Sequence, residues 1–490
     1  MRAVYVHSKE KYVSKLFIAG LIVALFLSLF LTTHKAEAAS VTIPSNGVQI
    51  KDSAGNLLQA HGGGIIKVGS YYYWFGENRS GDNLVACYRS TDLKTWEFRN
   101  NVLKHSSAPE LATANIERPK VIYNASTGQF VMWMHKENGV DYSEARAAVA
   151  YSSTIDGNYT WQGSFQPEGQ YMSRDDTLFV DDDGSAYFIS SARENLDTHI
   201  YKLSSDYRSI ASLVQKVWVG SQREAAAMFK RNGVYFLVTS GATGWAPNQM
   251  KYGTATSIAG TWSALSNVGD GTSFDSQPAY IVPVQGTSTT SYLYIGDRWA
   301  GAWGGIVNDS RYVFLPISFP SNTSMSLTYY DKLTIDTATG TISGSNYSIN
   351  STTNYKILNR NSNKSLAVSG TDKTLSAAPI QQFTDTTSLF QRWQFVKKAN
   401  GYYSIINKQS GKYMDINGQS TADGATNIQY PSNGGKNQEW LLVDLGNGYY
   451  AIENRNSRKF MDISGSSTAD GGQNIQYTWN GGNNQQWTIN

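Results

Sequence analysis

The last third of the chain repeats itself three times. Tyr355-Lys356-Ile357-Leu358-Asn359-Arg360-Asn361-Ser362 returns as Tyr403-Ser404-Ile405-Ile406-Asn407-Lys408-Gln409-Ser410 and again as Tyr450-Ala451-Ile452-Glu453-Asn454-Arg455-Asn456-Ser457. Each copy closes on a Gln-x-Trp triplet: Gln391-Arg392-Trp393, Gln438-Glu439-Trp440 and Gln485-Gln486-Trp487. The tryptophans stand 47 residues apart both times. A unit of this length cannot bury an apolar face alone and packs against its siblings. Three units of short strands joined by Gly and Asn turns predict an all-β module with threefold symmetry.

The rest of the chain is β-rich as well. A length of 490 residues suggests two to four domains at about 150 residues each. Charged residues are only 16% and aromatic ones 13%, with 31 Tyr and 13 Trp. That balance favours strands over helices and suits a sugar ligand. Pyranose C–H faces stack on aromatic rings, while amides and carboxylates take the hydroxyls.

The N-terminus reads as a secretory leader. Arg2, Lys9, Lys11 and Lys15 precede a 16-residue apolar run, Leu16 to Leu31, and Ala36-Glu37-Ala38 offers a small-x-small cleavage site. The run is short for a membrane anchor, so residues 1–38 are expected to be a signal peptide, cleaved after Ala38 or Ala39. With Lys35, the leader holds five of the 41 basic residues and two of the 38 acidic ones, so the remainder balances at 36 each. Nothing basic enough for nucleic acid remains, and no membrane contact is expected after cleavage. The single cysteine, Cys87, allows no internal disulfide and reads as a small buried strand residue. The mature protein is expected to be a secreted monomer of bacterial type.

Between about Val41 and Gly344 short strands alternate with Gly-, Asn- and Asp-rich turns, as in Tyr71–Phe75, Phe130–Met134 and Val234–Val238. Roughly 300 residues of recurrent hairpins favour a β-propeller over one sandwich. Residues 345–353, rich in Ser, Asn and Thr, read as a flexible linker that would let two domains work separately. The repeat module then spans 354–490.

The Gln-x-Trp spacing resembles the ricin-type β-trefoil, a sugar-binding fold. The resemblance implies an Asp early in each copy that takes two sugar hydroxyls, and an aromatic residue further on that stacks the ring. Asp415 and Asp462 match the Asp in the second and third copies, and Tyr430 and Tyr477 match the aromatic. Asn437 with Gln438, and Asn484 with Gln485, complete the two implied sites; Trp479 adds a face to the second of them. In the first copy Ala367 stands at the Asp position and Gln382 is read at the aromatic one, so that site is expected to be lost.

Glycoside hydrolysis needs a proton donor for the leaving oxygen and a group that positions water or attacks carbon. Candidate carboxylates lie in polar-aromatic turns: Ile116-Glu117-Arg118-Pro119, Ser173-Arg174-Asp175-Asp176-Thr177, Gln222-Arg223-Glu224-Ala225-Ala226 and Phe274-Asp275-Ser276-Gln277. Taken singly, any of them is more often a turn cap or a solvated charge; the set carries the argument. Asp175 ahead of Phe179-Val180-Asp181-Asp182-Asp183-Gly184, and Glu224 ahead of Ala225-Ala226-Ala227-Met228, resemble family-43 glycoside hydrolases, which implies a five-bladed β-propeller over 41–344. The resemblance makes Glu224 the general acid and Asp175 a group that raises its pKa.

That family commonly places an Asp base in the first blade. Here the stretch is Gln59-Ala60-His61-Gly62-Gly63-Gly64-Ile65, without a carboxylate. The departure, with Glu117-Arg118-Pro119-Lys120, Thr243-Gly244-Trp245 and Phe274-Asp275-Ser276-Gln277, resembles the exo-β-1,3-galactanase branch. Gln277 then stands for the base, acting either through its imidic-acid tautomer or only by orienting the water. Glu117 would hold sugar hydroxyls or tune the acid. Tyr142, Asn195, Thr243 and Trp245 are candidate substrate contacts, each also readable as a core or turn residue. The histidines show no metal spacing, and Asp181–Asp183 reads as a hairpin turn. No cofactor or metal is expected. The implied activity is inverting release of galactose from β-1,3-galactan, such as an arabinogalactan backbone. An α-L-arabinofuranosidase or β-xylosidase of the same family and a non-catalytic galactan-binding lectin are the alternatives.

Overall fold

The computed structural model describes residues 40–490, so the expected signal peptide lies outside the described residues. Strands dominate, and the helical pieces among the described residues are short 3-10 turns.

Five four-stranded antiparallel sheets follow one another along the chain. Their first strands are His61–Val68, Asn115–Asn124, Arg174–Val180, Arg223–Arg231 and Gln277–Gln285. Each is followed by its neighbours in simple meander order. Many strands are apolar on both faces: Trp74 and Phe75, adjacent in Tyr71–Glu77, are both buried. Such strands need a packed layer on either side. Separate apolar clusters fill the gaps between the first and second, second and third, third and fourth, and fourth and fifth sheets. A further cluster joins Trp74 and Trp96 of the first sheet to Tyr312 and Phe314 of the fifth. The first strands touch in the same cyclic order, which gives a propeller-like ring. Cys87 is buried in Asn83–Ser90. The sheet count differs from the expected five. A sixth, three-stranded sheet pairs Val41–Ile43 with Lys332–Asp336 and Thr341–Ser345. Its origin is a long-range pairing of the two ends of the region, which no local periodicity signals.

From Ile357 onward twelve strands form one continuous sheet around one core. Trp393, Trp440 and Trp487 are fully buried, and each indole N–H donates to a backbone carbonyl in its own copy: Leu366, Met414 and Met461. The triplet glutamines do equivalent work. Gln391, Gln438 and Gln485 each accept from a backbone N–H five residues upstream, at Thr386, Asn433 and Asn480. They brace a loop in every copy, including the one expected to bind nothing.

The expected flexible linker is corrected by packing. Thr341–Ser345 is a strand of the sixth sheet. Tyr347 is buried in the trefoil core, and its backbone N–H donates to Asp331 at 3.0 Å. Asp331 also receives Tyr403 Oη at 2.9 Å and Lys397 Nζ at 2.7 Å. Serine- and asparagine-rich composition is compatible with a tether, but one buried tyrosine ties the segment down.

Candidate active site

The five first strands share a defect. Each has a register shift near its start, between His61 and Gly64, Glu117 and Lys120, Arg174 and Asp176, Glu224 and Ala227, and Pro278 and Tyr280. A β-bulge kinks the strand and re-aims a side chain. In four of the sheets the bulge lies at or beside a predicted site residue: Glu117, Asp175, Glu224 and Gln277. In the first it carries His61-Gly62-Gly63-Gly64. There a Cβ on Gly63 would overlap the Phe75 carbonyl, so the glycines serve close strand approach. His61 is buried, with Nδ1 3.0 Å from Asp297 and its ring stacked on Tyr312.

Glu117, Asp175, Glu224 and Gln277 line one cavity of roughly 330 Å3, with Tyr142, Asn195 and Trp245. Glu77, Arg79, His135 and Trp299, which sequence reasoning missed, line it too. Thr243 does not. It is exposed, its hydroxyl donates to the Ala246 carbonyl at 2.6 Å, and it receives Asn248 Nδ2 at 2.7 Å. It shapes the turn that presents Trp245, whose ring meets Trp299 edge-on at 5.6 Å.

Glu224 sits where burial first, and Asp175 second, push its carboxyl up to about 8. Arg118, Gln277 and Arg223 pull the other way and lose. The expected repulsion from Asp175 is present, but burial is the larger cause. Asn195 Nδ2 donates to Oε2 at 3.0 Å, and Gln277 Nε2 donates to Oε1 at 2.9 Å. At neutral pH the group is mostly a carboxylic acid held by two amides.

Gln277 has no hydrogen-bonding capacity left. Its NH2 donates to Glu224 and, at 2.9 Å, to Ser240 Oγ. Its carbonyl oxygen accepts Trp299 Nε1 at 2.7 Å and an Arg118 guanidinium N–H. Trp and Arg are donors only, so these neighbours fix which end of the amide is oxygen. They also stabilise the amide against the imidic acid, whose O–H would face two donors.

Glu117 is the opposite of Glu224. Burial alone would push its carboxyl up, but His135 and Arg79 together hold it well below the usual carboxylate range. Arg79 donates to Oε1 at 2.7 Å, Tyr142 Oη donates to the same oxygen at 3.0 Å, and His135 Nδ1 lies 3.3 Å from Oε2. Burial opposes charge on His135, yet Glu117 and Glu137 raise the imidazole to about 10. Glu77 is pushed up to about 7, chiefly by burial. Asp175 pairs with Arg118 at 3.1 Å and stays partly open to solvent.

Glu117, His135 and Asp175 bring one ligand atom each within 4.8 Å of one another. Asp181–Asp183 is a hairpin turn, with Asp181 held by Lys230 at 2.7 Å and by Tyr235.

In the trefoil, Asp415 lines a second cavity with Tyr430, Asn433 and Asn437. Gln438 donates to Asp415 at 2.7 Å, and Asn484 donates to Asp462 at 2.9 Å. Burial raises both carboxyls, that of Asp462 to about 6. Tyr430, Tyr477 and Trp479 are exposed. The reading of the first copy needs one correction. Ala367 pairs with Gln381, as Asp415 does with Ile428 and Asp462 with Ile475. The aromatic position is therefore Phe383, opposite Ser365, and not Gln382. Gln382 is the counterpart of Gln429 and Gln476; all three accept a serine hydroxyl at 2.6 Å, from Ser362, Ser410 and Ser457. The first copy lacks the Asp, and Phe390 stands where Asn437 and Asn484 stand.

A carboxyl held neutral, Glu224, near one held ionised, Glu117, in an aromatic-walled cleft, is the equipment of a glycoside hydrolase. Residues 61–280 match the model of glycosyl hydrolases family 43. Residues 344–430, 389–477 and 436–490 match that of ricin-type beta-trefoil lectin domain-like proteins. The chain is 52% identical to an exo-β-1,3-galactanase from Clostridium thermocellum, over 92% of this chain and 99% of that one, with a TM-score of 0.61. A family-43 β-1,3-galactosidase solved with galactodeoxynojirimycin is 35% identical, over 59% of this chain and 99% of that one, with a TM-score of 0.55. An exo-β-1,3-galactanase from Phanerochaete chrysosporium, solved with galactose, is 26% identical, over 91% and 99%, with a TM-score of 0.63. No curated protein sequence matches the chain. The chain belongs to glycoside hydrolase family 43.

Proposed function

We propose that this chain is an inverting exo-β-1,3-galactanase that releases terminal galactose from β-1,3-galactan. The observation that carries the reading is Glu224: a buried carboxylic acid, raised to about 8 and held by Asn195 and Gln277 beside Asp175. It protonates the glycosidic oxygen as the bond to C1 breaks, and a water adds to C1 from the opposite face, its released proton passing to the Asp175 carboxylate. The relatives' names support the substrate: two are exo-β-1,3-galactanases, and Glu→Ala and Glu→Gln variants of the fungal one were solved with β-1,3-galactotriose.

The contacts of Gln277 support neither of its two expected roles, base through the imidic acid or orienter of the water. Both its carbonyl lone pairs are occupied, so in this arrangement it has none to offer a water proton. Its task is to hold Glu224. Asp175, with one oxygen on Arg118 and an edge open to solvent, is the carboxylate free to order the attacking water. Trp245 and Trp299 wall the sugar, and Glu117, locked as an anion with Tyr142, accepts its hydroxyls.

The finer architecture follows the same reading. The five four-stranded sheets are the blades of the propeller, and the three-stranded sheet is a strap that joins its two ends. Residues 41–344 form the catalytic domain and 354–490 the carbohydrate-binding one. The second and third trefoil copies anchor the enzyme on polymer. The leader directs secretion; no helix among the described residues is long and apolar enough to cross a membrane. The protein acts as a monomer.

Proton NMR of β-1,3-galactan digests tests the assignment. Galactose appearing first as the α-anomer supports it. Arabinose or xylose release from other polymers in place of galactose would select the arabinofuranosidase or xylosidase reading, and no product at all would select a lectin.

A further inference from the structure

Immediately before Gln277, three consecutive non-glycine residues are left-handed: Ser273, Phe274 and Asp275, with φ of 53°, 60° and 56°. Such residues persist only where their surroundings over-determine them. The catalytic domain supplies part of the hold, through Asp270 on the Phe274 N–H at 2.6 Å and Arg298 on the Phe274 carbonyl at 3.1 Å. It offers the Asp275 carboxylate no hydrogen bond. Asp275 is buried, and its ion-pair partners are Arg455 and Arg458 of the third trefoil copy. Arg455 grips it with two donors, Nε at 2.8 Å and a second guanidinium N–H; Arg458 adds a third at 3.2 Å.

The third copy departs from its siblings at the residues that make this contact. Arg458 occupies a left-handed turn position, φ 58°, filled by Asn363 and Gly411 in the other copies. Asn and Gly tolerate that conformation and Arg does so poorly. Glu453, fully buried beside Arg458 and Arg311, stands where the siblings have Leu358 and Ile406. Packing the trefoil's own core asks for neither change, whereas both residues face the propeller's charges. A narrow crevice lined by Arg455 and Asn456 on one side meets the active cavity at Trp245, Gln277 and Trp299.

We infer that Arg455 and Arg458 are positioning residues of the active site. By holding Asp275 they lock the 273–275 turn and set Gln277 against Glu224, so the trefoil supports catalysis as well as anchoring. The inference rests on the role of Glu224 and Gln277 given above.

The test uses the full chain and β-1,3-galactobiose, a substrate too short to engage the trefoil sugar sites and the cleft at once. Arg455→Met should lower kcat at least 10-fold with KM changed less than 3-fold. Arg455→Lys, which keeps one ion pair, should recover part of the loss. The alkaline limb of the pH–rate profile should move up, because a loosened Gln277 no longer stabilises ionised Glu224. Retention on polymer should stay at the wild-type level. Arg455→Met leaves a buried Asp275 charge short of a partner, so the double variant Asp275→Asn with Arg455→Met guards against unfolding. It should fold and show the same loss of kcat. Wild-type kcat in a folded double variant overturns the inference. If Glu224→Gln is itself fully active, the reading of the site fails instead.

Discussion

The propeller and the trefoil are both built by repetition, and they use it in opposite ways. The five bulged strand starts repeat one backbone device and change the side chain each time: His61, Glu117, Asp175, Glu224, Gln277. The trefoil keeps the same Asp, Tyr, Asn and Gln in two copies and lets the first lapse. Catalysis needs unlike groups with pKa values driven apart, here Glu224 near 8 and Glu117 far below its usual range. Anchoring needs like sites whose worth comes from number and proximity. A change at a blade should therefore alter chemistry and spare adhesion, and a change at a trefoil sugar site should do the reverse, with the Arg455 and Arg458 contact to Asp275 as the one place where the trefoil reaches the chemistry.

The largest effect should come from Glu224→Gln, which keeps shape and removes the donated proton. We expect turnover of β-1,3-galactan to fall at least ~100-fold, the low end for general acid catalysis, with polymer retention unchanged in affinity electrophoresis. Gln277→Ala comes next. It frees Glu224 on one side and strands the Arg118 and Trp299 donors, so kcat/KM on galactobiose should fall by about 10- to 100-fold. Galactose should still inhibit the variant, because the walls of the cavity remain.

The trefoil variants probe the other half of the comparison. Asp415→Ala with Asp462→Ala should abolish retention on galactan and slow action on long polymer. Hydrolysis of galactobiose should stay within about 2-fold of wild type, since neither Asp touches the cleft and linkage alone is lost. Unchanged retention would show that the two copies serve another ligand. The smallest effect is a gain. Ala367→Asp with Phe390→Asn rebuilds the first site around Phe383, and a measurable rise in retention is expected. Ala367→Asp alone leaves the Asn missing and should do little.

Much of this was legible in the chain before the fold. The 47-residue spacing of the tryptophans fixed the trefoil, and hairpin turns such as Asp181–Gly184 marked the propeller. Glu224 and Asp175 stood out by the segments that follow them. Glu77, Arg79 and His135 did not, because the first two lie at or just past the end of an aromatic strand and His135 is inside another; only the ring of strands turns them toward one cavity. The first trefoil copy shows how thin the margin is. Ile380-Gln381-Gln382-Phe383 aligns with Asn427-Ile428-Gln429-Tyr430 only after a slip of one residue, and one residue exchanges the faces of a strand. The docking of Asp275 on Arg455 spans 180 positions and leaves no local trace. Residues 345–353 failed for a related reason: composition described a tether, while Tyr347 is pinned by groups from Ser45 and Leu442.

The central claim, that Glu224 works as an acid kept neutral by burial and by Asp175, is tested most directly by the pH dependence of kcat/KM on galactobiose. Glu224 binds its proton below its raised pKa, so activity should hold through neutrality and fall as pH rises past about 8. Asp175→Asn removes a like charge, which lowers the Glu224 pKa and should move that limb to lower pH. A profile that stays flat to about pH 10, beyond the reach of a carboxyl so placed, or a limb that does not move in Asp175→Asn, would contradict the account.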